Sequence, residues 1–275
     1  MSNIGCLLAA DKDRRAETES LLGAVCNQDR SWLYAHPEYE LSQLETATLE
    51  NHLRRLNDGE PVAYILGYKD FYNQRFKVSS SVLIPRPETE IIIDQALLFA
   101  KLQPAASFFD IGTGSGAIII SIASSISGSY QFFAGDISPE ALDVAKENAE
   151  GISSVITFKL GSVFTPFRQE LQSSTSIFIA ANLPYLTPEE RMAEKSIAPE
   201  PSIALLGGVD GLDIYRRLLK DCEGINGKPF QLMMEISPWQ EDLLVGLAAK
   251  SLPGAKIITV PDLSGRTRFI LVTNI

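Results

Sequence analysis

From Ser107 onward, short apolar runs bounded by turn residues alternate with longer stretches of helical spacing, and that alternation leaves few architectures open. Residues 108–111, 131–135, 155–159, 177–181, 230–236, 256–260 and 268–273 read as strands. Residues 117–125, 139–150, 212–223 and 239–250 read as helices. Such a pattern predicts an α/β domain around a mostly parallel sheet. The last two strands are joined by a short loop over 261–267, so they are expected to pair antiparallel at one edge.

The part before this domain has a different texture. Leu21, Leu22 and Val25, then Leu44, Leu49, Leu53 and Leu56, fall near helical spacing with charges between them. Ser42 followed by Glu45 is a capping-box pattern, and Asn57-Asp58-Gly59 is a stop. Phe71-Tyr72, the polar pair Asn73-Gln74, then Phe76 and Val78 read as two short strands around a turn. Pro85-Arg86-Pro87 must be extended, and a helix is expected from near Glu88. The expected organisation is a helical domain over 1–70, a linking hairpin over 71–84 and the α/β domain over 85–275.

Composition removes several function classes. Lys and Arg number 24 against 34 Asp and Glu, a net charge of -10, which argues against stable nucleic-acid binding. Three cysteines without Cys-x-x-Cys spacing form no disulfide framework and suit a reducing, cytoplasmic location. The apolar patch over 7–10 is too short for a signal-peptide core, and serines interrupt the uncharged stretch over 117–135, so no membrane association is expected. With only His36 and His52, both in the helical region, no histidine metal site or triad is expected.

Chemistry concentrates at three places. Asp110-Ile111 leads into Gly112, Thr113, Gly114, Ser115 and Gly116, after an apolar strand and before a helix, which is the form of a ligand-binding turn. Gly112, Gly114 and Ala117 also satisfy the dinucleotide fingerprint, so the turn alone does not choose between cofactors. Asp136 ends the next strand, where a carboxylate can accept both hydroxyls of a ribose. Ser138 is the better cap for the following helix, which is expected to leave Asp136 free. Asn182, Leu183, Pro184 and Tyr185 follow a further strand. They offer a side-chain carbonyl, a backbone carbonyl restrained by Pro184 and an aromatic face, a set that suits a planar amino group or an ordinary strand-ending turn.

Taken with Ile84-Pro85-Arg86-Pro87-Glu88-Thr89-Glu90, these motifs resemble the glutamine N(5)-methyltransferases of peptide chain release factors, the PrmC/HemK family. The likeness continues through Glu60-Pro61-Val62-Ala63-Tyr64-Ile65-Leu66-Gly67, through Glu200-Pro201 and the run from Ala204 to Arg216, and ends at Asp262-Leu263-Ser264-Gly265-Arg266. The resemblance implies a seven-stranded, Rossmann-like methyltransferase sheet with a small N-terminal helical domain; being helical and set off from the cofactor motifs, that domain is expected to dock the protein substrate. It implies S-adenosyl-L-methionine as cofactor, release factors as partners and the glutamine of their Gly-Gly-Gln motif as methyl acceptor. Residues 112–116 would wrap the methionine part, Asp136 would hold the ribose, Val163 would flank the adenine, and Asn182 would stand near the cofactor. Residues 182–185 would grip the glutamine amide, with Asn182 and Tyr185 as the catalytic pair.

This chain has Leu183 where the family has proline, Ser162 where an acid is usual and Val163 where an aromatic is frequent. The Asn-Leu-Pro-Tyr form is similar to that of ribosomal RNA adenine N6-methyltransferases, which makes these the alternative; a catalytically impaired cofactor-binding protein is another. An amide nitrogen is a poor nucleophile, and no side-chain base stands near to activate it, so the expected mechanism is positioning. Asn182 and the Leu183 carbonyl would accept the two amide hydrogens; orientation of this kind lowers a barrier by about 7–11 kcal/mol at best. Leucine has the same carbonyl as proline, so Leu183→Pro is expected to leave the rate similar or raise it a few-fold.

Overall fold

The computed structural model describes residues 3–10, 13–152, 155–225, 227–262 and 264–275. Contacts divide the chain into two units, Met1–Tyr68 and Lys69–Ile275. In the first, hydrophobic spacing sustains the helices, and side-chain caps start two of them. It holds α1 (Ile4–Ala10), α2 (Arg15–Cys26), α3 (Arg30–Ala35), α4 (Gln43–Asn57) and α5 (Val62–Leu66). Ser42 Oγ accepts from the Glu45 N–H while the Glu45 carboxylate accepts from the Ser42 N–H, so the capping box at α4 is complete. Asp29 caps α3 by accepting from the Trp32 N–H at 2.7 Å. Ile4, Leu21, Leu22, Leu33, Leu49 and Ile65 form a core belonging to this unit.

A hairpin follows, β1 (Tyr68–Phe71) and β2 (Gln74–Lys77). It starts at Tyr68, not Phe71, and turns on Tyr72 and Asn73 instead of Asn73 and Gln74. Both turn residues have positive φ (46° and 59°), the requirement of a tight two-residue hairpin loop. Tyr72 is held there by tertiary bonds, its N–H donating to Glu90 Oε1 at 2.9 Å and its hydroxyl to Asp94 Oδ1 at 2.8 Å.

Strand and helix then alternate: α6 (Glu90–Leu102), β3 (Ser107–Ile111), α7 (Ala117–Ser125), β4 (Gln131–Asp136), α8 (Pro139–Asn148) and β5 (Ile156–Leu160). The chain continues through α9 (Arg168–Ser173), β6 (Ile177–Ala181), α10 (Pro188–Ala193), α11 (Asp213–Cys222), β7 (Phe230–Glu235), α12 (Glu241–Ser251), β8 (Lys256–Pro261) and β9 (Thr267–Thr273). The six-residue helices α9 and α10 were not expected; both are too short to show periodicity. The 3-10 turn Pro87–Thr89 delays the start of α6 to Glu90, and Pro238–Gln240 delays α12 to Glu241. Of the motif residues, Leu263 lies outside the described residues.

Among the described residues the main sheet has seven strands in the order β5-β4-β3-β6-β7-β9-β8. Strands β3 to β7 are mutually parallel, and β9 pairs antiparallel with both β7 and β8, as the short connection requires. The central strands β3 and β6 are buried along their whole length, which is why their sequences are almost continuously apolar. From β3 the chain moves outward through β4 and β5, then returns to lay β6 on the other side of β3. That reversal opens a crevice at the carboxyl ends of β3 and β6, the usual ligand position in open α/β sheets. Residues 112–116 and 182–185 both emerge there. Among the described residues, no helix is long and apolar enough to cross a membrane.

Candidate active site

The turn after β3 is fastened to β4 by two bonds, from the Gly112 and Thr113 N–H groups to the Gly135 carbonyl at 2.8 and 3.0 Å. At Gly114 φ is 55°, and an added Cβ would meet nothing within 4 Å. Glycine is needed at that position for its left-handed backbone, and the space over it is open. The space belongs to a cavity of about 500 Å³ lined by Gly112, Thr113, Gly114, Ser115 and Asp136, and by Val163, Asn182, Leu183 and Pro184. Gly116 does not line it. The Gly116 φ is 80°, and an added Cβ would lie 3.3 Å from the Ala145 Cα, so glycine is needed there for the left-handed backbone and the close approach of α8.

Asp136 is not free as the sequence suggested. Ser138 does cap α8, accepting from the Ala141 N–H, but each Asp136 oxygen also accepts a backbone N–H: Ser138 to Oδ1 and Gly114 to Oδ2, both at 2.9 Å. Burial raises its pKa, and these N–H groups oppose the rise. Each oxygen keeps a further lone pair for a ligand. Beneath the turn, Asp110 is fully buried; Thr113 Oγ1 donates to its Oδ2 at 2.7 Å, while Oδ1 has no close hydrogen-bond partner among the described residues. Burial pushes its pKa up to about 7. Val163 is buried at φ 50°, a strained conformation for a β-branched residue and one that sits on the cavity wall.

The loop after β6 is held from several sides. Leu183 is buried, and its N–H donates to the Tyr215 hydroxyl at 3.3 Å. The Leu186 N–H donates to the Leu205 carbonyl and the Gly207 N–H to the Leu186 carbonyl, both at 2.9 Å. Gly207 approaches so closely that an added Cβ would lie 2.4 Å from the Pro184 carbonyl oxygen. The buried Glu200 carboxylate accepts from the Ile84 N–H at 3.1 Å and from the Arg86 guanidinium. The two sequence blocks around Ile84 and Glu200 therefore meet beside this loop.

Asn182 joins the cavity to a second one of about 480 Å³, lined by Glu88, Tyr185, Glu190, Glu235 and Arg268; both also share Leu83, Arg86 and Ala204. Tyr185 thus faces the second cavity. Its hydroxyl donates to Glu235 Oε1 at 3.2 Å and accepts from Arg268 Nη2 at 3.0 Å. Burial, and then the neighbouring Glu235 carboxylate, push the phenol well above its ordinary range. Thr89 Oγ1 donates to Glu235 Oε2 at 2.7 Å and accepts from Asn182 Nδ2 at 3.2 Å. At the rim, Trp239 Nε1 donates to Glu190 Oε1 at 2.6 Å. Gln240 Nε2 holds the Tyr185 carbonyl at 2.8 Å.

The structure thus brings Gly112, Thr113, Gly114, Ser115, Asp136, Val163, Asn182, Leu183 and Pro184 to one cavity, and Tyr185 to its neighbour. Sequence reading missed Thr89, Arg268, Tyr215 and Gln240 as supports. Glu235 likewise carries no role in that reading. A carboxylate closing an apolar strand was the one local signal.

Two family models match the chain, the PrmC N-terminal domain over residues 5–67 and the methyltransferase domain over residues 108–197. The release factor glutamine methyltransferase of Bacillus subtilis (strain 168) is 33% identical over 275 residues, covering 96% of this chain and 92% of the relative. That of Moorella thermoacetica is 35% identical over 262 residues, covering 94% and 90%. Among solved structures, the hMettl16 catalytic domain in complex with MAT2A 3'UTR hairpin 6 superposes with TM-score 0.56 at 14% identity, covering 84% of this chain and 81% of that one. The N-terminal domain of human METTL16 in complex with SAH does so with TM-score 0.51 at 17% identity, covering 72% and 75%. At such identities these two structures bear on the fold alone.

Proposed function

The chain belongs to the release factor glutamine methyltransferase family, and from that premise we propose how its own residues carry the reaction. It is an S-adenosyl-L-methionine-dependent methyltransferase that modifies the side-chain amide nitrogen of a release-factor glutamine. The further reading is that the glutamine lies in a Gly-Gly-Gln motif, that residues 182–185 hold it, and that the enzyme works in the cytoplasm.

The residues present fit the cofactor. Open space over Gly114 admits a chain against the backbone, and Asp136 keeps a lone pair on each oxygen for a ribose diol. Ile118, Ile137 and Val163 supply apolar wall for a purine. When bound, S-adenosyl-L-methionine supplies a sulfonium methyl as electrophile. The protein's part is to bind, orient and exclude water. Asn182 Oδ1 and the Leu183 carbonyl are acceptors for the two hydrogens of the glutamine amide, which fixes the plane of that amide and turns its nitrogen toward the transfer. Tyr185, tied to Glu235 and Arg268, is a rigid wall and not a base, because its phenol stays protonated. The proton released after transfer leaves by water or a backbone carbonyl.

The observation that supports this reading is Asn182 at the junction of the two cavities, one lined by the glycine turn and Asp136 and the other by Tyr185 and Glu235. The test is mass spectrometry of a release factor after incubation with the protein and S-adenosyl-L-methionine. One added methyl on the glutamine is expected. Asn182→Ala should lower the rate on the order of a hundredfold while thermal stabilisation by the cofactor persists; Asp136→Ala should diminish that stabilisation. An unmodified release factor, or methylated ribosomal RNA in its place, would overturn the reading.

A further inference from the structure

Asn182 can serve as an acceptor only if its amide is turned the right way, and nothing in its own structure decides that. The oxygen and nitrogen ends of a carboxamide have nearly the same shape, so the surrounding hydrogen bonds must choose between them. The partner here is Thr89, whose hydroxyl has one proton to give. Thr89 and Glu235 are both buried, at 4% and 0% exposure, so neither bond is exchanged for water. The Thr89 hydroxyl and Glu235 Oε2 are 2.7 Å apart, and Glu235 Oε1 takes the Tyr185 hydroxyl at 3.2 Å and Arg268 Nη2 at 3.4 Å. The Tyr215 hydroxyl donates to the Glu235 main-chain carbonyl.

We propose that Thr89 and Glu235 are positioning residues that set the polarity of Asn182, the carboxylate claiming the Thr89 proton so that Thr89 can only accept from Asn182 Nδ2. An ionised carboxylate accepts and never donates. The Thr89 proton must then point at Glu235, its lone pairs face Asn182, and Asn182 Nδ2 fills that position. Oδ1 is left as the end that receives the substrate amide. If Glu235 were protonated it could donate to Thr89, freeing the Thr89 proton for Asn182 Oδ1. The asparagine amide would then be stable in the opposite sense, presenting N–H groups to a substrate that also presents N–H groups. The inference rests on the role given to Asn182 above and adds the means by which that role is enforced.

The sign of the pH dependence follows. The groups facing Glu235 are Arg268, Tyr185, Tyr215, Thr89 and Glu88, with Arg86 beyond Tyr185. Burial raises the Glu235 pKa, Arg268, Thr89 and Tyr185 lower it, and Glu88 adds to the rise. Turnover should be full while Glu235 is ionised and fall as pH drops through its pKa.

The experiment has a kinetic arm and a spectroscopic arm. At saturating cofactor, Thr89→Val should lower kcat on the order of 10–100-fold with cofactor affinity unchanged, and Thr89→Ser, which keeps the hydroxyl, should restore most of it. In Glu235→Gln the acid limb of the kcat profile should disappear. For the second arm, ¹⁵N-asparagine labelling of the whole protein reports the Asn182 side-chain NH2, assigned by its loss in Asn182→Asp. Its resonance should titrate with pH in the wild type and in Thr89→Ser, and hold still in Glu235→Gln. This arm needs no substrate and is read on the wild-type chain, so it separates failure of the relay from failure of the release-factor reading and stands even if Thr89→Val does not fold. A pH-invariant Asn182 NH2 resonance in the wild type, or wild-type kcat in folded Thr89→Val, would overturn the proposal.

Discussion

At Leu183 a backbone hydrogen bond and a buried side chain together set the cost of substitution. Considered as a sequence position it invites Leu183→Pro, since only its carbonyl has a role and a ring would stiffen it. In the folded chain its N–H donates to the Tyr215 hydroxyl and its side chain lies in the core. Proline would remove the donor and much of the apolar contact; the loss of order 1–3 kcal/mol exceeds the 0.4–1 kcal/mol typically gained from stiffening. Thermal denaturation should show Leu183→Pro less stable than wild type, with no gain in rate.

Asp110 yields a pH-dependent counterpart. Its folded-state pKa, about 7, lies above that of an unfolded aspartate, so its contribution to stability is fully present below the unfolded value. That contribution is lost as pH rises through about 7, leaving a buried charge that costs on the order of a few kcal/mol. Denaturation midpoints of wild type and Asp110→Asn should therefore diverge with rising pH, the variant gaining on the wild type. Parallel curves would show that Asp110 does not titrate there.

At the scale of elements, legibility followed sequence distance. The glycine turn, Asp136 and residues 182–185 were readable because each is a local pattern at a strand end. Thr89, Glu235 and Arg268 were not, because their roles arise only when the 3-10 turn Pro87–Thr89 and the ends of β7 and β9 are brought to β6. The strand and helix alternation was readable for the same reason the turn was: buried parallel strands announce themselves as unbroken apolar runs. Helix α10 was not, since its six residues start from a capping box but bury none of their side chains. The segment leading into α11 gives a test. An added Cβ at Gly207 would lie 2.4 Å from both the Pro184 and the Gly211 carbonyl oxygens, and backbone would have to move. Gly207→Ala should lower stability by about 1–3 kcal/mol and reduce methylation beyond what cofactor affinity explains. Gly246→Ala, in α12 with open space at the Cβ, should be neutral or stabilising by about 0.5–1 kcal/mol. Circular dichroism melts and single-turnover rates on the pair check both.

For the molecule as a whole, the two units each have their own apolar core, Ile4 to Ile65 in one and a pair of clusters on the sheet's two faces in the other. The cofactor cavity is lined wholly from the second. A chain beginning at Lys69 should retain stabilisation by S-adenosyl-L-methionine in a thermal melt. If the helical unit docks the protein substrate, as we propose, that chain should lose release-factor methylation at low substrate concentration first. Methylation undiminished in the shortened, folded chain would refute the docking role.

The bond between Trp239 and Glu190 has an optical consequence. The chain carries two tryptophans, and Trp32 belongs to the N-terminal unit, so Trp32→Phe leaves a single indole, beside the second cavity. That indole is 49% exposed, with its N–H fixed to a carboxylate lining the second cavity. Indole emission responds to the loss of a charged acceptor and to the removal of surrounding water. A peptide entering the cavity and drawing Glu190 away would therefore change the colour of the light the protein emits, and arrival of the substrate could be timed in a stopped-flow instrument with no label attached.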